Sequence, residues 1–197
     1  ISFNLLHVLT SYFIIITVVR LYVNRNYRTL KLLFIAIISL QIISVHTKYE
    51  NSKAAFIIFH KSRNTVIGKK HNKTLEVFHN LDTLSNYKSI NTYNVGNNIS
   101  YVTEFKLQSL HIFKNRTILL VDSLGIYNIK SLSPHYILLR DSPKINLDRL
   151  IDSLKPKEII ADGSNYKSYI SRWIETCKNR KLPFHYTGEK GAYILKN

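Results

Sequence analysis

The sequence has a single cysteine, Cys177, and no methionine. One cysteine cannot form a disulfide within the chain, and it cannot supply a cysteine-rich zinc site. Both the disulfide framework of a small secreted domain and a zinc-finger pattern are therefore excluded. The chain begins at Ile1, inside an apolar run, which we interpret as a fragment whose N-terminal part is missing.

Acidic residues are also scarce. The chain has 28 Lys and Arg against 12 Asp and Glu, a formal net charge of +16, and no acid among its first 47 residues. Such an excess favours nucleic acid or an anionic membrane surface as a partner. Ile, Asn and Lys are abundant throughout, however, so lysine could simply be the default surface residue. A basic composition is only a first filter for nucleic-acid binding, and both interpretations stay open.

Two long apolar runs occupy the N-terminal quarter. Residues 5–23 read LLHVLTSYFIIITVVRLYV, and as a helix they would be about 28 Å long, close to the hydrocarbon thickness of a bilayer. A second run over residues 30–45 is shorter and contains Gln41. Two runs without a preceding basic segment argue against a signal peptide. We predict a transmembrane helical hairpin over residues 1–47, with a buried pair of core helices as the alternative.

The short loop between the two runs is basic, with Arg20, Arg25, Arg28 and Lys31 in or beside it. A short basic loop tends to stay in the cytoplasm. The rest of the chain is then expected on the opposite, extracytoplasmic side, although long domains can cross a membrane regardless of charge.

A soluble α/β domain is predicted over residues 48–197. Short runs rich in Val and Ile, bounded by polar turn residues, predict strands. They read AAFIIFH, TVIG, TLEVF, ISYVTEF, LHIF and TILLVD. The polar stretch that starts at Asp82 predicts a loop or a weak helix. This part of the chain is typical of a β-meander.

The last third of the chain alternates between strand and helix patterns. HYILL, EIIAD and FHYT predict strands, and GAYIL ends the chain. Apolar residues recur at helical spacing between these strands. They are Leu147, Leu150, Ile151 and Leu154 in one helix, and Tyr166, Tyr169, Ile170, Trp173, Ile174 and Cys177 in the next. Short β-α-β crossovers favour parallel neighbours, so the sequence predicts a βαβαβ unit after the meander.

The turn Asp162-Gly163-Ser164-Asn165 directly follows the strand EIIA. Open α/β sheets place ligand sites at such strand ends, and free N–H groups at a helix start can hold a phosphate. A structural interpretation is that Gly163 makes a tight turn, Ser164 or Asn165 caps the helix, and Asp162 bonds local backbone. The pattern is neither a P-loop nor a Gly-x-Ser-x-Gly elbow, which favours the structural interpretation.

Several aspartates end predicted strands. Asp122 and Asp141 do so like Asp162, and carboxylates gathered at one sheet edge could hold a divalent metal ion. The alternative hypothesis is therefore a metal-dependent nuclease that uses Asp82, Asp122, Asp141 and Asp162.

The C-terminal part resembles the end of ComEC-type competence proteins, in the form found in Bacteroidetes-like bacteria. The segments IIADGSN, a helix with tryptophan and cysteine, and PFHYTGEKGA occur in the family's order. SPKINLDRL fits the family's helix start, and the N-terminal hairpin fits its last membrane spans. The matching positions are Asp162, Gly163, Ser164, Asn165, Trp173, Cys177, Pro183, His185, Thr187, Lys190, Gly191 and Ala192.

The resemblance implies a multi-pass inner-membrane channel through which single-stranded DNA enters during natural transformation. Its partners would be the bilayer, the rest of the channel and other competence proteins. In many members the terminal domain resembles a metallo-β-lactamase, proposed to degrade the strand that is not transported. Such an enzyme typically carries His-x-His-x-Asp-His for zinc, and the eight histidines of this chain are isolated. We therefore expect a degenerate sandwich with no metal, no other cofactor and no hydrolysis.

Contact with DNA would use lysine and arginine against phosphates, together with aromatic stacking, and would not depend on sequence. The candidate phosphate contacts lie in or near predicted turns that could meet at one rim of the β layer. They are Arg63, Lys69, Lys70, Lys73, Lys114 and Arg116. A structural membrane protein without a role in DNA binding is the remaining alternative.

Overall fold

The fold follows from a computed structural model that describes residues 5–82, 87–127 and 133–196. The elements in chain order are α1 (Leu5–Val23), α2 (Tyr27–Ser52), β1 (Ala55–Lys61), β2 (Asn64–His71), β3 (Thr74–His79), α3 (Lys88–Gly96), β4 (Tyr101–Lys106), β5 (Leu110–Phe113), β6 (Arg116–Val121), β7 (Tyr136–Leu139), α4 (Leu147–Leu154), β8 (Glu158–Ala161), α5 (Lys167–Asn179), β9 (Phe184–Tyr186), α6 (Thr187–Lys190) and β10 (Tyr193–Lys196). The polar stretch after Asp82 becomes α3 from Lys88 onward, while residues 83–86 of that prediction lie outside the described residues.

The N-terminal helices α1 and α2 pack against each other. Asn26 caps α2, because its side chain accepts the N–H of Arg28 at 3.1 Å. By length and composition both helices could cross a membrane, and only 11% and 6% of their most apolar windows are buried. In the described part of the chain these helices are therefore not core helices of the domain, which argues against the alternative of a buried helix pair. Helix α2 continues beyond residue 47, where the sequence places the domain boundary.

Two five-stranded sheets follow the helices. The first has the order β10-β1-β2-β3-β4, and the second has the order β5-β6-β7-β8-β9. Strands β1, β2 and β3 form the predicted antiparallel meander, whereas β4 joins β3 in parallel. Strands β6 to β9 are all parallel, which confirms the predicted βαβαβ unit. The last strand, β10, leaves this unit and pairs antiparallel with β1.

Three apolar layers hold the sheets and helices together. Strand β1 is buried on both faces, so Phe56 and Ile58 face the second sheet while Ile57 and Phe59 face α3. The period of two along a strand explains this division. Beyond the second sheet, Leu150 of α4 and Trp173 of α5 cover its outer face. The result is a sandwich with helices on both outer faces, which confirms the predicted α/β class.

Candidate functional site

The turn after β8 contains a buried carboxylate that joins the two sheets. Asp162 is completely buried, and its Oδ2 accepts the hydroxyl proton of Thr65 at 2.5 Å. Thr65 belongs to β2 of the first sheet, whereas Asp162 follows β8 of the second. The other oxygen, Oδ1, accepts hydrogen bonds from the Ser164 hydroxyl at 2.5 Å, the Ser164 N–H at 3.0 Å and Asn165 Nδ2 at 3.1 Å. Four protein donors therefore surround this carboxylate.

The surroundings of Asp162 act on its protonation in opposite directions. Burial raises its pKa to about 6, and the nearby Asp141 carboxylate acts in the same direction. The hydrogen bonds donated by Ser164 and Thr65 lower the pKa because they stabilise the charged form. At neutral pH the group is therefore ionised, the state that can accept all four hydrogen bonds.

Ser164 and Asn165 do not cap α5, so that prediction is wrong. Their oxygens instead accept the N–H groups of Asp141 and Ser142, each at 2.8 Å. Asp141 and Ser142 have φ values of 54° and 52°, a left-handed bend that turns the chain away from the strand ladder after β7. Because these amides lie outside the ladder, they bond to side chains. The N–H of Tyr166, just before α5, is accepted by the Ser142 hydroxyl at 2.8 Å.

Gly163 is required by close contact between the turn and the β1–β2 hairpin. A Cβ at this position would lie 2.5 Å from the carbonyl oxygen of Lys61 and 2.8 Å from Cε1 of His60. The Gly163 carbonyl also accepts the N–H of Arg63 at 2.8 Å. Only a residue without a side chain permits this backbone approach.

Two of the other aspartates of the metal hypothesis have local partners. Asp122 accepts the N–H of Leu124 at 3.0 Å, and Asp141 pairs with Arg140. Within residues 5–82, 87–127 and 133–196, no three or more His, Cys, Asp or Glu side chains are grouped as metal ligands. The hypothesised aspartate cluster therefore does not form in this part of the chain.

Lys70, one of the candidate phosphate contacts, is buried and 2% exposed. Its ammonium donates to the carbonyl oxygen of Asn51 at 2.5 Å and to Oδ1 of Asn97 at 3.2 Å, and burial lowers its pKa. The prediction that Lys70 contacts DNA phosphates is wrong, because alternation along β2 turns its side chain into the protein. It links the ends of α2 and α3 to the first sheet.

The remaining candidates do not share one rim. Arg63 and Lys73 lie beyond opposite ends of β2, an eight-residue strand about 26 Å long. Arg63 contacts the turn at Gly163, beyond the carboxyl end of β8, whereas Arg116 begins the parallel strand β6. These residues therefore separate into groups at different ends of the sandwich.

A line of aromatic rings runs between the two sheets on the side of the edge strands β4 and β5. We call it the aromatic ladder, and neighbouring ring centroids lie 4.8–6.1 Å apart. Its rings in order are Phe105, Phe78, His111, Phe56 and Phe113.

Two lysines from the candidate set lie over this ladder. Lys69 Nζ is 5.1 Å from the Phe78 ring centroid, and Lys114 Nζ is 5.7 Å from that of Phe113. Phe105 is 43% exposed, and Tyr101 on the same strand is 71% exposed. Positive charge and accessible aromatic surface therefore occur together on this side of the sandwich.

Sequence reasoning missed Thr65 and His111. Thr65 lies 97 residues from its partner Asp162, and no local pattern connects them. For His111 a signal existed, since alternation along LHIF places it on the same face as Phe113. His111 is 1% exposed, and burial, with a smaller effect from Lys69, lowers its pKa to about 4.

Comparisons with known proteins support one assignment. Neither the curated proteins nor the solved structures contain a significant match to this chain. The model of the ComEC C-terminal domain matches residues 56–197, from the start of β1 through both sheets and the helices that cover them. The resemblance seen in the C-terminal motifs is thereby confirmed, and the chain belongs to the ComEC C-terminal domain family.

Proposed function

We propose that this chain is the C-terminal part of an inner-membrane channel for DNA uptake in natural transformation, and that its soluble domain contacts single-stranded DNA without cleaving it. Membership of the ComEC family supports a role in competence and DNA uptake. The strongest support for a non-catalytic domain is the environment of Asp162, where four protein donors engage the carboxylate. We infer that the sandwich is a degenerate metallo-β-lactamase-like domain whose strand-end turn has become a structural joint.

The exposed surfaces of α1 and α2 support the membrane placement. Large apolar side chains along both helices are exposed, for example Ile16 at 60% and Ile35 at 61%. Leaving so much contiguous apolar surface in water is unfavourable, whereas a bilayer would cover it. The basic loop between the helices favours the cytoplasmic side, and the soluble domain then lies outside.

The aromatic ladder and the basic residues beside it support the DNA contact. Lys69, Lys114 and Arg116 would neutralise backbone phosphates. Exposed Tyr101 and Phe105 offer ring faces on which bases can stack. Both interactions tolerate any sequence, as uptake of unselected DNA requires. Arg63 lies at the far end of the sandwich and is left out of this surface.

The test is binding of a fluorescent oligothymidine to the full chain in neutral detergent. A triple variant, Lys69→Gln, Lys114→Gln and Arg116→Gln, is compared with a control that removes three exposed lysines on the helix side, Lys144→Gln, Lys167→Gln and Lys178→Gln. Loss of three phosphate contacts should make the slope of log affinity against log salt shallower by about 2 units. Phe105→Ala should cost about 1–3 kcal/mol of binding.

Three results would contradict the proposal in different ways. Equal salt slopes for both triple variants would show that Lys69, Lys114 and Arg116 do not contact the DNA phosphates. No binding even at low salt would favour a structural membrane protein. Divalent-metal-dependent cleavage that Asp162→Asn abolishes would replace the non-catalytic assignment with the nuclease alternative.

A further inference from the structure

A groove of about 690 Å³ lies where the end of α2 meets the first sheet. One wall is the polar C-terminal part of α2, and the other is formed by the β2–β3 turn and the segment between α3 and β4. Its lining includes Ser44, Thr47 and Lys48 on the helix, and Asn72, Lys73 and Asn98 on the domain.

The groove is positively charged. It is lined by Lys48 and Lys73 and by no acidic residue. Both lysines are exposed, and the ion pairs of the described residues involve neither of them. The nearest acid along α2, Glu50, is paired with Lys53 at 2.5 Å. The hydroxyls of Ser44 and Thr47 donate to carbonyls of their own helix, at 2.8 and 2.9 Å. The exposed amide groups of Asn72 and Asn98 add neutral hydrogen-bond donors beside the two lysines, so the lining suits an anion with several oxygens.

Helix α2 determines the level of the groove relative to the bilayer. The apolar run of this helix ends at Val45, and the helix continues for about 10 Å to Ser52. Lys48 and Asn51 therefore lie within two turns of the end of the apolar segment. If α1 and α2 span the bilayer, as the proposed function requires, this groove lies at the level of the lipid headgroups. His7, near the start of α1, lines the same groove, which places both helix ends at that level.

We propose that this groove binds the phosphate-bearing headgroup of an anionic phospholipid, with Lys48 and Lys73 contacting the phosphate. Basic pockets between transmembrane helices bind such headgroups on the cytoplasmic side of membranes, and a lysine pair offers a phosphate the same chemistry on the outer side. The acyl chains would continue along the apolar surface of α2, an attachment that inorganic phosphate lacks. Since α2 forms one wall and the domain forms the other, the bound lipid would fix the domain against the membrane surface. This inference rests on the membrane placement within the proposed function.

The experiment uses the full chain in neutral detergent with short-chain phosphatidylglycerol as the probe. The groove variant Lys48→Gln with Lys73→Gln is compared with a control of equal charge loss on exposed α5, Lys167→Gln with Lys178→Gln. Loss of both groove lysines should weaken lipid binding about 25-fold, about fivefold for each lysine. The control pair should bind within twofold of the unmodified chain, and phosphatidylcholine should bind much more weakly than phosphatidylglycerol.

These measurements distinguish a lipid headgroup from free phosphate. They also distinguish failure of the groove proposal from failure of the membrane placement. Equal lipid binding by both variants would overturn the groove, and so would inorganic phosphate that competes as well as the lipid. Loss of oligothymidine binding in the groove variant, with lipid binding unchanged, would reassign the groove to DNA. Carbonate extraction of membranes containing the chain reports separately on α1 and α2. A chain that stays in the membrane without binding lipid contradicts only the groove, whereas a chain that is released contradicts both proposals.

Discussion

At the scale of single residues, Asp162 is the joint between the sheets. The change Asp162→Asn keeps the size of the side chain but replaces one acceptor oxygen with a donor amide. Because four donors converge on the carboxylate, at least one of them must then lose its partner. We expect the free energy of unfolding to fall by about 2–4 kcal/mol. Urea unfolding in neutral detergent, followed by fluorescence of the single tryptophan, Trp173, measures this change.

The matched control is Asp152→Asn on α4. Asp152 is an exposed carboxylate that pairs with Arg180, and such surface pairs contribute little. We expect a change within about 0.5 kcal/mol for this variant. Equal losses for the two substitutions would show that Asp162 is not a special structural contact.

Glycine provides a second comparison at this scale. At Gly163 a Cβ would overlap the Lys61 carbonyl, and backbone atoms cannot move aside cheaply. Gly163→Ala should therefore lower the free energy of unfolding by about 1–3 kcal/mol. At Gly96 a Cβ would meet no described atom within 4 Å apart from its chain neighbours and the backbone of its own helix, so Gly96→Ala should be nearly neutral. Thermal unfolding of the two variants checks the difference, and a neutral Gly163→Ala would disprove the close approach of the turn.

His111 gives a prediction about pH. Its folded-state pKa is about 4, below the ordinary value of 6.5, so between these values the unfolded chain binds a proton that the folded chain does not. Stability from this group is complete above about pH 6.5 and is lost as the pH falls towards 4. Asp162 acts in the opposite direction over much of this range, because its pKa is raised.

The substitution His111→Phe isolates the histidine, since the contribution of Asp162 is common to both chains. Between pH 7.5 and pH 5 the variant should gain about 2 kcal/mol relative to the unmodified chain. The exposed His71 supplies the control His71→Phe. Urea unfolding measures the difference in free energy of unfolding between the unmodified chain and His111→Phe. If this difference does not change with pH, His111 is not a buried neutral histidine.

At the scale of elements, Lys70 attaches the end of α2 to the domain. Lys70→Met keeps the length of the side chain and removes the ammonium that Asn51 and Asn97 share. We expect hydrogen exchange to become about 5- to 30-fold faster in residues 46–53 and 94–98, as loss of about 1–2 kcal/mol implies. Strands β7 and β8 should be unaffected. Lys69→Met, the neighbouring change in the same strand, should leave α2 unchanged, and equal effects of both substitutions would argue against this attachment.

At the scale of the whole molecule, the proposed placement puts the domain on the extracytoplasmic side of the membrane. The native thiol does not interfere with a labelling test, because Cys177 is buried and burial raises its pKa to about 12. In spheroplasts, Ser171→Cys on exposed α5 should react with a membrane-impermeant maleimide. Asn24→Cys in the loop between α1 and α2 should react only after permeabilisation. The reverse pattern would place the domain in the cytoplasm.

The sequence alone determined where most of the helices and strands lie. Apolar periodicity predicted α4 and α5, because a helix with one buried face repeats that face along the chain. A long apolar run predicted α1, and short Val- and Ile-rich runs between polar turn residues predicted the strands. Short β-α-β crossovers favour parallel neighbours, and they predicted the parallel unit of β7, β8 and β9. The family resemblance could be found in the C-terminal turn and helix, since its motifs are continuous in the chain.

Only the tertiary structure decided what individual polar residues do. Lys70 and Lys73 look alike in sequence, yet one is buried and the other is exposed in a groove. The structural role of Asp162 depends on Thr65, which contacts it only because the two sheets stack face to face. Contacts between residues far apart in the chain leave no local pattern, because they depend on sheet order and on which face each strand presents.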